Sequence, residues 1–598
     1  MVALTYGVGQ GLGESFLFGS ERYLLTDELG VGAARYTQID AFANIPWQIK
    51  ALYGMLSDSC RLCGLKRTPY VLVAGILGLV SGLVLCFGGN DSELVAAFFL
   101  VLANLSIALP DVMIDASAAE RARTHPLLAA DVQALCWGSL NALAFFGELA
   151  VGFLVDPEVL GSRGVFGVFA STAFLGTLLP ASFGWLGEKR RKSRHGWWAY
   201  AAATSADDDQ TTTHNPTTKA EEEEVSVEEE EEKTPRSSSA RVPVFLAAAA
   251  TCAVSVSIGL IQLLYEGERK TLVEGCATVV FGAVLAVLLF VLLRRVTPRL
   301  AGAAVYIFLE GALQPSTAVI FQWSHDDGDA NGNCSRRCEE DSDDCGWARE
   351  RDYPCISTET WGYARATARL FGLVGVVLYN TFFSSWPYRR IFALGTTVYF
   401  LANLLDLVWV SRTNVALGVP DDVFLFGSEI IQPTLRKLHV MPVFVLAARL
   451  CPESVEATLF ALLMGLSNFG ATVGAYNGVA LLTLFGVDRP RYHNISSFVF
   501  ARTLMYLLPL LLVPVFVPAG GPNDDLLHDD AGNKGALELV PQRSTTPSSS
   551  LFVSAAKDDD DGVDDGDEHC GDRTHDDDGG GDQKEEIDGD DDDDVCLV

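Results

Sequence analysis

The chain of 598 residues is 49% hydrophobic and yet carries a formal net charge of −33. Position reconciles the two facts: the stretch from about residue 520 onward contributes roughly −20 and the stretch 204–240 roughly −9, leaving the remainder near neutral. An acidic globular protein is thereby excluded and no nucleic-acid partner is expected; the pattern is that of a polytopic membrane protein with two acidic, solvated appendages.

Apolar windows of about 20 residues, each able to cross a ~30 Å hydrocarbon core, recur along the chain. They fall near 2–24, 36–57, 69–88, 93–117, 131–155, 164–187, 242–264, 273–294, 300–323, 360–384, 388–410, 424–447, 457–485 and 495–518, about fourteen in all. The first is the most polar, holding Glu14, Glu21 and Arg22, and no basic segment precedes it, so no cleavable signal peptide is expected. The division that follows is a six-helix bundle over 1–188, a disordered cytoplasmic linker over 189–241 and an inserted transmembrane hairpin over 242–298. A second six-helix bundle spans 299–518, and a disordered acidic cytoplasmic tail covers 519–598.

The second span carries Lys50 mid-way, between Pro46-Trp47 and Asp58, and a basic turn with Arg61, Lys66 and Arg67 follows it. Charge inside a bilayer is expensive, so Lys50 is a functional candidate: it either holds an anion in a central cavity or pairs with an acid of the fourth span. That span offers Asp111 and Asp115, four residues apart and hence on one helix face. Two carboxylates so placed in low dielectric resist being charged together, which suits proton coupling; the alternative is a lock onto Arg121 or Arg123. Asp58 with Arg61 and Arg67, and Glu120 with Arg121, read as a gate latch at the inner face. The aromatic Trp47, and Trp137 with it, could stack on a flat ring or anchor a helix end.

The two halves repeat. Leu135-Cys136-Trp137-Gly138-Ser139-Leu140-Asn141 with Gly147 and Gly152 is echoed by Leu463-Met464-Gly465-Leu466-Ser467-Asn468 with Gly470, Gly474 and Gly478. The repeat points to two bundles related by pseudo-symmetry, and most of these glycines are expected to serve close helix packing. In the second half Arg365 and Arg369 share a helix face, able to meet substrate carboxylates or pair with Glu310 or Asp406, and Arg449 is a second latch element.

With the N-terminus inside, the inner loops hold most of the lysine and arginine. The loop 324–358 then lies outside and carries Cys334, Cys338, Cys345 and Cys355, expected to form two disulfides in one of three pairings. The histidines lie mostly in loops and tails, so neither a metal site nor a cofactor is expected.

The string Pro46-Trp47-x-x-Lys50-x-x-Tyr53-Gly54-x-x-Ser57-Asp58 resembles the folate–biopterin transporter family of the major facilitator superfamily. So do Pro110-Asp111-Val112-Met113-Ile114-Asp115-Ala116, Glu120-Arg121 and the run from Met441-Pro442 through Arg449-Leu450-Cys451-Pro452 to Asn468. The sequence departs from the family at Ala51, which stands where a proline often follows the lysine, and at Glu148, in a helix usually neutral there. The resemblance implies an all-α protein of two six-helix bundles, here with an extra hairpin, embedded in a lipid bilayer as a multi-pass protein. It implies secondary, proton-driven transport of folates, pterins or related small molecules, with Lys50, Trp47, Asn141, Arg365 and Arg369 at the substrate. The same fold carrying an amino acid or organic anion, and a non-transporting sensor with the acidic tail as its arm, are the alternatives. A membrane enzyme is not expected, since no nucleophile–base or metal set emerges.

Overall fold

A computed structural model describes residues 1–62, 64–88, 92–124, 129–188, 235–265, 270–325, 353–450, 456–487 and 492–522. The expected linker (up to 234), the acidic tail (from 523), Cys334, Cys338 and Cys345 lie outside these residues, as do the side chains of Asp58, Glu120, Arg121 and Trp137. Helices dominate, and among the described residues there is no extended strand, only two isolated bridge pairs.

Among the described residues fourteen helical passes follow one another. In the first half they are α1 (Leu4–Leu12, Gly13–Tyr23, Leu24–Glu28), α2 (Ala33–Ala43, Ile45–Gln48, Lys50–Ser59), α3 (Thr68–Phe87), α4 (Glu93–Thr124), α5 (Ala129–Leu154) and α6 (Gly161–Ser182). The hairpin is α7 (Pro235–Leu264) and α8 (Lys270–Leu293). The second half is α9 (Pro298–Ala312, Val319–Ser324), α10 (Thr358–Phe383), α11 (Tyr388–Val410), α12 (Asp421–Arg449), α13 (Glu456–Phe485) and α14 (Ile495–Met505, Leu508–Phe516). Local chemistry sets the ends. Thr297 and Ser357 cap α9 and α10 by accepting from the Leu300 and Thr360 amides, at 3.2 and 3.3 Å. Asp421 and Asp422 open α12 where the helix dipole favours acid, and Arg449 closes it where the dipole favours a base.

Among the described residues nine helices are long and apolar enough to cross a bilayer. Of the other passes, α1, α2 and α9 are divided into shorter helical pieces, the described apolar part of α5 is the shorter Gly138–Leu154, and α12 is more polar. They carry Glu14 and Glu21, Asp40 and Lys50, Glu148, Glu310, and Arg436 with Lys437. Polarity of that kind is tolerated where a helix faces protein or a water-filled cavity instead of lipid, and these five line the junction of the bundles or the bundle interiors.

Two spans expected to be continuous are broken. α2 leaves helical geometry at Asn44 and Ile49, and α9 between Leu313 and Ala318. Pro315 explains the second break: it has no N–H and disfavours the helical conformation at Gln314. The freed backbone groups find partners inside the protein. Asn477 Nδ2 donates to the Ala312 carbonyl at 2.8 Å, Tyr506 hydroxyl to the Pro315 carbonyl at 3.0 Å, and the Ser316 amide to the Gly474 carbonyl at 3.4 Å. The approach requires glycine on α13, because a Cβ on Gly474 would sit 2.6 Å from the Gln314 carbonyl oxygen. The packing role expected of Gly470, Gly474 and Gly478 is therefore what α9 uses.

The bundles meet along two seams. At one, α5 crosses α10 so closely that a Cβ on Gly362 would lie 2.7 Å from the Gly152 Cα. At the other, Gln48 of α2 donates to Thr472 Oγ1 of α13 at 2.7 Å, and Asn468 Nδ2 donates to the Trp47 carbonyl at 3.0 Å. The hairpin packs against this second seam. Ser255 of α7 donates to Gln48 Oε1, and Gln38 Nε2 donates to Gln262 Oε1 at 3.1 Å and to Glu274 Oε2 at 3.2 Å. Each such buried amide or hydroxyl would be costly without a partner, so the network fixes the hairpin's register.

Candidate functional site between the bundles

A cavity of about 530 Å³ lies between the bundles. From the first half it is lined by Glu14 and Phe18 of α1 and by Asp40, Asn44 and Trp47 of α2. Ser316 in the α9 break, Arg436 of α12, and Asn468 and Thr472 of α13 complete it. Both broken passes thus reach the cavity with their irregular backbone, the arrangement that gives midplane sites polar contacts regular helices cannot offer.

Where α9 finishes and α1 leads into α2, contacts cross the bundle boundary. Gln322 Nε2 donates to the Val31 carbonyl at 3.0 Å and to Thr26 Oγ1 at 3.2 Å, and His325 Nε2 lies 3.2 Å from Asp27 Oδ2. Phe321 stacks on His325 with ring centres 5.1 Å apart and carries the Arg22 guanidinium 4.8 Å above its ring. These contacts join α1 to α9 across the bundle boundary.

Of the residues expected at the substrate, Trp47 lines the cavity. Its indole Nε1 donates to Asn104 Oδ1 at 2.9 Å, which fixes the ring. Lys50 is one step further along α2; its Nζ sits 2.5 Å from Asp111 Oδ2 and 4.3 Å from the Trp47 ring centre. Of the two roles open to Lys50, the pair with the fourth span is the one formed here. Asp115 accepts from the Tyr6 hydroxyl at 2.5 Å, so the two carboxylates of α4 face different partners, Lys50 on α2 and Tyr6 on α1.

Arg369 does not pair with Glu310 or Asp406. Its Nη2 and Nε meet Glu148 Oε1 at 2.8 and 3.1 Å, across the α5–α10 seam. Glu148, out of place beside the family pattern, is therefore the partner that holds this arginine. Asp406 accepts from Arg502 Nη2 at 2.5 Å, and Glu310 accepts from His439. Arg365 lies with its guanidinium carbon 5.5 Å from the Trp361 ring centre, and its Nε is buried without a hydrogen-bond partner among the described residues. Asn141 is half-buried on α5, two turns before Glu148.

Among the latch residues, Arg67 is buried and its Nη1 donates to Ser117 Oγ of α4 at 3.0 Å. The Glu188 carboxylate accepts from the Thr68 amide at 2.8 Å and the Thr68 hydroxyl at 2.7 Å, capping α3. Arg61 and Arg449 are exposed. Cys355 is the one member of the cysteine quartet inside the described residues.

The sequence reading passed over Arg436, Asp40, Gln48 and His439. Arg436 and His439 were open to the rule that flagged Lys50, a titratable group inside an apolar pass. Gln48 had no such signal, because its partners lie 207 and 424 residues away.

Comparison with known proteins agrees with this architecture. Residues 10–532 match the BT1 family. Probable folate-biopterin transporter 2 of Arabidopsis thaliana is 26% identical over 552 residues, covering 92% of this chain and 88% of the relative. The folate-biopterin transporter of Synechocystis is 25% identical over 503 residues, 84% of this chain and 78% of the relative. The fold resembles the crystal structure of a POT family transporter in complex with 5-aminolevulinic acid, with a TM-score of 0.54 at 14% identity over 86% of this chain and 96% of that one. A two-bundle helical membrane fold, an inter-bundle cavity and a family match over nearly the whole chain lead to one assignment: the chain belongs to the BT1 family of folate–biopterin transporters, and is a membrane transporter and not an enzyme.

Proposed function

We propose that the protein is a proton-coupled secondary transporter of folate- or pterin-type small molecules, working by alternating access to the inter-bundle cavity. The observation that carries this reading is the cavity's mixed lining. Trp47 and Phe18 offer aromatic faces to a flat ring, Arg436 offers a guanidinium to a carboxylate, and Glu14 and Asp40 offer acceptors to an amino-bearing ring edge. On this reading the contacts between α1 and α9 close that end and leave the opposite end, with the basic loops, as the route of access. The names of the relatives supply the substrate class.

Coupling on this reading begins at Asp111 and Asp115. A proton on Asp111 removes the charge that holds Lys50, and freed Lys50 can turn toward an anion held against Trp47. Arg365 and Arg369 act from the α10 side, Arg369 only after Glu148 lets go. Asp58, Arg61, Arg67, Glu120, Arg121 and Arg449 form the inner latches. Two carboxylates against one guanidinium in the cavity also favour a zwitterionic cargo, the amino acid alternative.

The test is uptake of labelled folate and of a reduced pterin by purified protein in liposomes, with and without an inward proton gradient. Saturable, gradient-driven uptake is the expected result, with an amino acid mixture as competitor separating the two cargo classes. Absence of uptake of either compound by folded protein would remove the proposed cargo.

A further inference from the structure

The second bundle holds a titratable pair that the first reading does not use. Glu310 of α9 and His439 of α12 are both buried, and His439 Nε2 is hydrogen-bonded to Glu310 Oε1. Gln314, at the start of the α9 break, donates its side-chain amide to the same oxygen at 3.1 Å and lies 3.0 Å from the imidazole Nε2. Tyr399 of α11 stacks on the imidazole, centres 5.1 Å apart and planes at 13°, and Tyr506 of α14 stacks on Tyr399 at 5.5 Å. The imidazole Nδ1 is buried and has no hydrogen-bond partner among the described residues.

We propose that Glu310 and His439 form a second proton-binding site, in the second bundle, whose occupancy is coupled to the α9 break and so to the cavity. The inference deepens the proton-coupled reading above and rests on it. Three features carry it. One proton is shared along the Nε2–Oε1 contact, whichever of the two atoms carries it, and the Gln314 amide holds the Glu310 oxygen in place beside it. An additional proton must then enter at Nδ1, where it would be a buried donor with nothing to accept it. A conformation that brings an acceptor to Nδ1 would give that N–H a partner it lacks here, and a ligand that discriminates between two states shifts their populations.

The connection to the cavity is short. Gln314 is two residues from Ser316, and Arg436 is one turn from His439 on α12; both Ser316 and Arg436 line the cavity. The groups facing the pair are Tyr306 on α9, Tyr399 on α11, Tyr506 and Arg502 on α14, with Arg502 held by Asp406, and Arg436 on α12 itself. No second carboxylate among them competes for the proton, since Asp406 is already tied to Arg502 at 2.5 Å.

The test uses the full chain in liposomes, with labelled folate as probe, in two modes. Counterflow exchange reports substrate binding and rocking; uptake driven by an inward proton gradient reports coupling. Glu310→Gln and His439→Gln are expected to keep counterflow and to lose the gradient stimulation, which for a coupled transporter is about fivefold or more. Either variant retaining full stimulation beside normal counterflow overturns the site. An unmodified chain that exchanges folate but ignores the gradient refutes proton coupling itself, a separate outcome. A readout without substrate covers the case in which folate is not the cargo: infrared difference spectra of the purified chain across a pH jump should contain a carboxyl band that Glu310→Gln removes and His439→Gln shifts. Spectra unchanged in both variants count against the pair, and because His439→Gln leaves the carboxyl in place, a folding defect in one variant does not decide the matter.

Discussion

The two seams that join the bundles meet the same requirement with different chemistry. Along α5–α10, glycine faces glycine and one ion pair, Arg369 with Glu148, crosses the gap. Along α2–α13 no formal charge crosses among the described residues; Gln48, Thr472, Asn468 and the Trp47 carbonyl share neutral hydrogen bonds, and the hairpin stands behind them. A charged contact in a low-dielectric seam is all-or-none, because separating the partners leaves a buried ion. Neutral bonds can exchange partners at small cost while helices slide. On the alternating-access cycle proposed above, the first seam would act as a catch and the second as a bearing.

The largest effect expected from breaking the contrast is at the catch. Arg369→Ala leaves the Glu148 carboxylate, 6% exposed, without its cation, and a loss of about 3 kcal/mol in stability follows from an orphaned buried charge. Thermal or denaturant unfolding in detergent measures it. Adding Glu148→Gln should restore most of the loss, since the orphaned charge is then gone. A single variant as stable as the parent would mean that the ion pair contributes no net energy, and the distinction between the seams would rest on the glycines alone.

The glycines come next. In Gly362→Leu the new side chain begins 2.7 Å from the Gly152 Cα, inside van der Waals contact with backbone that cannot yield. Overpacking of this kind costs roughly 1–3 kcal/mol, and here it acts against the state in which the α1–α9 end is closed. Cross-linking of Thr26→Cys to Gln322→Cys, whose parent side chains are hydrogen-bonded at 3.2 Å, reports that closure. The cross-link yield should fall when Gly362→Leu is added, and an unchanged yield would uncouple the glycine crossing from the seal.

What could be read from the sequence divides along the same line as the two seams. The passes, the extra hairpin and the Lys50–Asp111 option were legible because apolar length and a lone charge are local signals. The bundle repeat was legible because Asn141 and Asn468 sit in matching strings. The Arg369–Glu148 pair was half legible: both charges stood out, but their pairing depends on how α5 crosses α10, and a glutamate five spans earlier competes equally on paper with Glu310 and Asp406. The helix breaks were hidden by mean apolarity, although Pro46 and Pro315 marked both. The neutral bearing was illegible, since a glutamine in an apolar run carries no sign of what it will touch.

The smallest effect concerns the hairpin and decides whether it belongs to the bearing. Ser255 is buried and donates to Gln48, whereas Ser257, two residues on, is half-buried and makes a surface hydrogen bond to the Ala253 carbonyl of its own helix. Ser255→Ala removes one net hydrogen bond and is expected to lower stability by about 1 kcal/mol, while Ser257→Ala should be neutral. Stability alone would not separate a wired hairpin from a merely packed one, so the measurement is a double-mutant cycle with Gln48→Leu. If Ser255 acts through Gln48, the two losses overlap and a coupling of about 0.5 kcal/mol or more remains. If they simply add, the hairpin only covers α2 and α13, and the α2–α13 seam moves without it. Coupling of the expected size would instead make any rearrangement of the inserted hairpin a change in the resistance of that seam, a link that nothing in the charge pattern of α7 and α8 announces.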